Sequence, residues 1–199
     1  MAVLPVGYSE VPPGKIAAVV TCLEMTARPA LRREPVAPGW TVDLIERPAL
    51  ERYRDLFRRI GQDWLWLSRL NLDDAKLAAI IHDPAVEVRT LRVDGADEGL
   101  MELDFRESGV CELLFFGVTP KFVGQGAGRW LMNRAIACAW SRPIRRFWVH
   151  TCTLDHPGAL AFYLRSGFHA FARRIEIADD PRLAGTMPRG AAPQVPIIE

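Results

Sequence analysis

Apolar and polar positions along the chain alternate between two periods. KIAAVVTCLEM (15–25) is rich in β-branched residues and reads as a strand, and WTVDLIE (40–46) as a second. Between them TARPALRREPVAPG is a Pro-rich, basic loop. Over 48–60 the period becomes helical, with Leu50, Tyr53, Leu56, Phe57 and Ile60 on one face, and Gly61 ends the run. DWLWLSRL is aromatic-rich and predicts a further helical segment. LDDAKLAAIIHD (72–83) predicts a helix with Asp73 or Asp74 near its start.

Strand patterns then return. VEVRTLRV and GLMELDF flank Asp94-Gly95 and predict a hairpin. VCELLFFGV (110–118) is almost wholly apolar, which predicts a strand covered on both faces. Helix patterns over 128–140 and 157–166 enclose a strand, RFWVHTCT (146–153), with Gly167 as a C-cap. FHAFARRIEI (168–177) closes as one or two strands, and the Pro-, Gly- and Ala-rich tail after Asp180 is irregular. This order predicts a single α/β domain over 1–199, with an N-terminal strand extension to about residue 39 and a tail from about 181.

Three glycines, Gly124, Gly126 and Gly128, alternate between the apolar strand and the next helix. A helix N-terminus carries unpartnered N–H groups and partial positive charge, so glycines there let phosphate oxygens reach the backbone. A lone glycine at such a junction is as often geometric. A P-loop would need Lys and a hydroxyl where Arg129 and Trp130 stand. A dinucleotide fingerprint would need G-x-G-x-x-G and an acidic residue after the next strand.

The stretch GVTPKFVGQGAGRWLM (117–132) resembles the acyl-CoA pyrophosphate loop of the GNAT superfamily of N-acetyltransferases, with Gly124, Gln125, Gly126, Ala127 and Gly128 on its pattern and Val123 where the family has Arg or Gln. TLDHPGALAFYLRSGFHAF (153–171) is similar to the family's later motif, through Phe162, Tyr163, Gly167 and Phe168, with Asp155 near its usual Asn. The first half of the chain resembles the family only in element order. The resemblance implies a mixed, mostly antiparallel sheet whose strands splay apart, with the pantetheine arm of acetyl-CoA in the gap, bonded to the backbone of Phe116 and Val118. It implies CoA contacts from Phe116, Gly117, Val118, Val123, Gly124, Gln125, Gly126, Ala127, Gly128, Arg129, Asp155, Phe162 and Tyr163. It also implies direct attack of an amine on the thioester, with Tyr163 giving a proton to the leaving thiolate.

Glu112 is the one charged residue of VCELLFFGV and, by alternation, shares a face with Leu114, Phe116 and Val118. It is either a general base, as in family members with Glu six residues before the strand-ending aliphatic, or an ion-paired or edge carboxylate. Tyr163 is the general-acid candidate beside its reading as a core aromatic. His150 and His156 are alternative relays. Cys152 has no activating base in sequence and reads as a buried thiol. Trp64 and Trp66 are either an acceptor wall or core.

Net charge is +1, with hydrophobic residues at 49% and charged residues at 25%. That removes the basic field expected of a nucleic-acid binder. The four cysteines lack metal-ligand spacing, and MAVLPVGYSEVPPGK lacks the basic start and apolar run of a signal peptide. The expectations are a cytoplasmic acetyl-CoA-dependent N-acetyltransferase without metal, acting on a small-molecule primary amine without nucleic-acid or membrane partners. Alternatives are acetylation of a protein amine, a non-catalytic acyl-CoA sensor and a nucleotide-binding regulator. The apolar Pro196-Ile197-Ile198 docks either on its own core or on a partner, the second alternative allowing a homodimer.

Overall fold

The computed structural model describes residues 6–37 and 39–199; the first five residues of the N-terminal stretch, and Pro38, lie outside it. Seven strands form one sheet in the order β2-β3-β4-β5-β6-β1-β7. They are β1 (Lys15–Met25), β2 (Thr41–Leu44), β3 (Val86–Val93), β4 (Ala96–Asp104), β5 (Val110–Val118), β6 (Arg146–Cys152) and β7 (His169–Asp179). Every neighbouring pair is antiparallel except β5–β6. The helices are α1 (Leu50–Gly61), α2 (Asp74–Ile81), α3 (Ala127–Ala139) and α4 (Ala159–Arg165).

The strand expected over 15–25 is β1, and it lies between β6 and β7 in the sheet. Asp94 and Gly95, both at positive φ, make the two-residue turn between β3 and β4. Asp73 caps α2 by accepting from the Lys76 amide at 2.8 Å.

The segment DWLWLSRL departs from its helical expectation. After a 3-10 turn at Gln62–Trp64, Leu65 adopts a left-handed conformation and breaks the helix. The gain is burial: Leu65 is 4% exposed, and Trp66 fills the space beside Gly61, where a Cβ would lie 2.4 Å from the Trp66 Cβ. Tertiary packing here outweighs local helix propensity.

Two apolar clusters cover the sheet. Phe57, Leu56 and Ile60 of α1 and Leu77 of α2 pack with Val88 and Leu100 on one face. Trp130, Leu131 and Ile136 of α3 and Tyr163 of α4 pack with Leu113, Phe147 and Val149 on the other. β5 is thus covered on both sides, as its apolar run implies. Buried in the first layer, Glu102 accepts from Tyr53 Oη and Arg69 Nη2, each at 2.5 Å. The tail holds no helix or strand but is fixed by buried Arg182. Its guanidinium pairs with Asp180 and donates to the carbonyls of Ala191, Ala192 and Val195. Met187 and Ala191 then pack on Ile16 and Leu65. No helix among the described residues is long and apolar enough to cross a membrane.

Candidate active site

β5 and β6 part company halfway along. Their parallel pairing covers only Val110–Leu113 against Arg146–Val149. Beyond it, Leu114–Val118 have no ladder partner on the β6 side, so a row of backbone N–H and C=O groups faces the opening. A cavity of about 760 Å³ lies there, lined by Phe116, Gly117 and Val118, the glycine turn, His150, Cys152, Phe162 and Tyr163. This size suits an extended organic ligand.

A β-bulge sets which side chains meet that cavity. Leu103 pairs with Leu113 and Glu102 with Phe115, leaving Leu114 as an extra residue. Side-chain alternation therefore resets at Leu114. Phe115 joins Phe57 and Trp66 on the α1 side, and Phe116 stacks on Phe162 of α4 at 5.8 Å. Glu112 lies opposite Asp104, on the α1 side with Phe115. The expected common face of Glu112 with Phe116 and Val118 is thus lost, because simple alternation does not survive a bulge. Glu112 is not among the residues lining the cavity.

Its neighbour His150 does line the cavity. Glu112 Oε1 stands 3.6 Å from His150 Nδ1, an ion-pair separation longer than a hydrogen bond. The Glu112 carboxylate is the main cause that lifts the His150 pKa above the ordinary imidazole value, against burial, with Asp155 and Glu176 adding to it. Sequence spacing could not bring these acids together, since they lie on β5, the β6–α4 loop and β7.

Asp155 is committed to the protein. One carboxylate oxygen accepts from Thr151 Oγ1 at 2.7 Å and the Cys152 amide at 2.9 Å, and the other accepts from Trp66 Nε1 at 3.2 Å. Trp64 packs edge-on against His156 at 5.2 Å. These two contacts tie the segment after α1 to the loop after β6 and roof the cavity with aromatic rings.

Tyr163 is 7% exposed and lines the cavity. Burial, then the charge of Asp155, pushes its pKa well above the ordinary phenol range, so it stays protonated. The same two causes push the Cys152 thiol up to about 11, which leaves little thiolate at neutral pH.

At the other end Gly124 and Gly126 take φ of +81° and +84°, and Gly126 caps α3. The first amides of α3 face outward without helical partners. A Cβ on Gly126 would sit 3.1 Å from Pro35, while one on Gly128 would make only ordinary contact with Phe162. Gln125 donates to the Lys121 carbonyl and Ala127 is buried, and neither lines the cavity. Val123 does line it, 48% exposed.

Sequence reasoning missed a second source of charge here. Residues 26–37 strap across α3. Arg32 is bonded through both backbone groups to the buried Asn133 side chain, and Glu34 pairs with Arg134. Arg32, Arg129 and Arg165 all line the cavity and have no acidic partner among the described residues. Burial, then the positive charges of Arg129 and Arg165, holds the Arg32 pKa below the ordinary guanidinium range. The buried Nε of Arg129 has no hydrogen-bond partner among the described residues. Three unneutralised guanidiniums beside a helix N-terminus fit the phosphates of CoA. The basic run LRRE was the only sequence signal for this strap.

Comparisons with known proteins agree on the fold. The chain is similar to a functionally unknown conserved protein from Staphylococcus epidermidis, with 14% identity and a TM-score of 0.57 over 84% of this chain and 63% of that one. It is similar to a GNAT family acetyltransferase from Elizabethkingia anophelis with acetyl-CoA bound, with 17% identity and a TM-score of 0.53 over 68% and 80%. It is also similar to an aminoglycoside acetyltransferase from an uncultured soil metagenomic sample, with 13% identity and a TM-score of 0.54 over 67% and 90%. The chain thus spans under two thirds of the staphylococcal protein's length. No curated protein matches the sequence. The model of the acetyltransferase (GNAT) family matches residues 50–168, from α1 to the end of the motif around Tyr163, and with the splayed sheet and glycine-capped α3 inside that span, the chain belongs to the GNAT acetyltransferase family.

Proposed function

We propose that the protein transfers an acetyl group from acetyl-CoA to a primary amine of a small molecule, by direct attack. The observation that carries this reading is one continuous cavity with a cationic, glycine-rich end at α3 and an aromatic, acid-flanked end at Trp64, Trp66, His150 and Glu176. The first end suits a polyanion. The second suits an amine that arrives protonated, attracted by carboxylates and packed on aromatic rings.

Bound acetyl-CoA supplies the electrophilic thioester and its thiolate leaving group. The α3 amides with Arg32, Arg129 and Arg165 hold the phosphates. The free backbone of Phe116 and Val118 orients the pantetheine arm in the gap. His150 takes a proton from the amine at the cavity wall, and Glu112, behind it, positions the ring and stabilises its charged form. Tyr163 holds its proton at Oη, available to the departing sulfur. The Cys152 thiol stays protonated and takes no covalent part.

The roof formed by Trp66–Asp155 and Trp64–His156 favours a compact acceptor over a folded protein's surface. A panel of small amines and lysine peptides with acetyl-CoA, followed by release of free thiol, tests this. The expected result is turnover with small amines. Turnover confined to peptides would replace the acceptor class, and tight CoA binding without turnover on any amine would favour an acyl-CoA sensor.

A further inference from the structure

The sheet ends in a strand whose outer edge pairs with no other strand among the described residues. β7 pairs with β1 on one side only and is the last strand of the order. It runs for 11 residues, and all are exposed except half-buried Ala172 and Ala178. Phe171, Ile175 and Ile177 are 40%, 46% and 53% exposed. The opposite edge, β2, has only four residues. A long edge strand with apolar side chains and no proline is a template for pairing with another chain.

We propose that β7 pairs antiparallel with β7 of a second copy about a two-fold axis at Ile175, joining the two sheets into one. The register follows from symmetry and charge. A two-fold axis normal to the sheet must pass midway between one residue and its own copy, because directly opposed side chains keep the same face. Centring on Arg173 or Arg174 sets arginine against arginine. Centring on Glu176 sets glutamate against glutamate. Centring on Ile177 leaves Glu176 opposite Ala178 and sets Arg174 only against Asp180, which lies beyond β7, is buried and is already held by Arg182. Centring on Ile175 puts the isoleucines together and Arg174 opposite Glu176 twice, with Ala172 opposite Ala178. Opposite charges directly across an antiparallel pair stabilise it, and like charges oppose it.

The pairing reaches the acceptor end of the cavity. Glu176 lines that cavity and contributes to the raised pKa of His150. Arg174 of the partner subunit would therefore pair with a carboxylate of this subunit's acceptor site. This assembly does not depend on the identity of the acceptor or on turnover.

The test is sedimentation analysis of the purified protein and three charge-reversal variants, with a fourth, cysteine variant for cross-linking. Wild type is expected to be a dimer at tens of micromolar. Arg174→Glu and Glu176→Arg each face like with like and are expected to be monomers. An equimolar mixture of the two single variants restores both opposite-charge pairs and is expected to form a heterodimer. The double variant, with both reversals on one chain, is expected to dimerise with itself. Ile175→Cys is expected to give a symmetric disulfide at position 175 under mild oxidation, located by peptide mapping. A monomeric wild type overturns the proposal, as does a dimer whose mass neither single reversal changes.

Discussion

Glu112 and His150 stand side by side on β5 and β6, 3.6 Å apart, yet only His150 borders the cavity. The pair has a kinetic signature. His150 must be neutral to accept a proton, and its pKa lies above the ordinary value of about 6.5. The acid limb of kcat/KM is therefore expected above that pH. Glu112→Gln removes the main cause of the shift, so the limb moves to lower pH. His150→Ala is expected to abolish the limb and lower the neutral rate by about 10²–10⁴-fold. A Glu112→Gln profile depressed without any shift of the limb would make the carboxylate itself the base.

Gly126→Val is expected to weaken CoA binding more than tenfold, about 1.4 kcal/mol or more. The variant must hold a β-branched residue at φ +84°, with Pro35 already 3.1 Å from the new Cβ. Calorimetry on folded protein reads the change. A companion, Arg32→Ala, should weaken CoA binding and flatten its salt dependence, since one cation is lost from a site of three.

Tyr163→Phe keeps the ring between Phe116 and Phe168 and removes only the proton. Turnover is expected to fall by about 10²–10⁴-fold with little change in CoA affinity. Wild-type turnover, with chemistry shown to limit the rate, would leave Tyr163 as packing alone.

Cys152→Ala is expected to keep turnover within a few-fold of wild type. Initial-rate kinetics should be sequential, and intact mass after mixing with acetyl-CoA should reveal no acetyl-enzyme. A thiol at about 11 is a poor nucleophile at neutral pH. Loss of activity together with an acetylated wild-type Cys152 would point to a ping-pong route.

Gly117→Ala tests the packing behind the cavity. The added Cβ would lie 2.5 Å from Ile60 Cγ2 and 3.3 Å from the Trp66 ring. Overpacking of this kind costs about 1–3 kcal/mol. Chemical denaturation should register that loss, and Ile60→Ala in the same chain should recover part of it. Additive losses would mean that Ile60 is not the obstruction.

Elements with a clean period were legible in the sequence. β1 and β5 have the expected bounds, the Asp94-Gly95 hairpin forms, and α1, α2 and α3 fall within two residues of their patterns at each end. The glycine turn and the Tyr163 motif both border the one cavity. What failed depended on contacts distant in the chain. The bulge at Leu114 comes from pairing with β4 and turns Glu112 away from Phe116. The break at Leu65 follows from burial of Leu65 and Trp66. Arg32 joins Arg129 and Arg165 only because Asn133 clamps the strap. Pro29 and Pro35 lie within contact distance of the missing Cβ positions of Gly167 and Gly126, so the strap is packed against the loop residues it crosses.

The central place of β1 has a consequence for how the chain is made. β1 is complete within the first 25 residues, yet its partners are β6, from residue 146, and β7, from residue 169. On the ribosome β1 is made more than a hundred residues before β6 and β7, whereas the strands of the β3–β4–β5 meander follow one another closely. Contacts so far apart in sequence are slow to form. Since β7 pairs with the sheet through β1, a fragment cut to the 50–168 span would lose both strands and leave the free edge of β6 exposed. Of all the strands, β1 is thus separated from its partners by the longest stretch of chain, and it fastens β7 to the rest of the sheet.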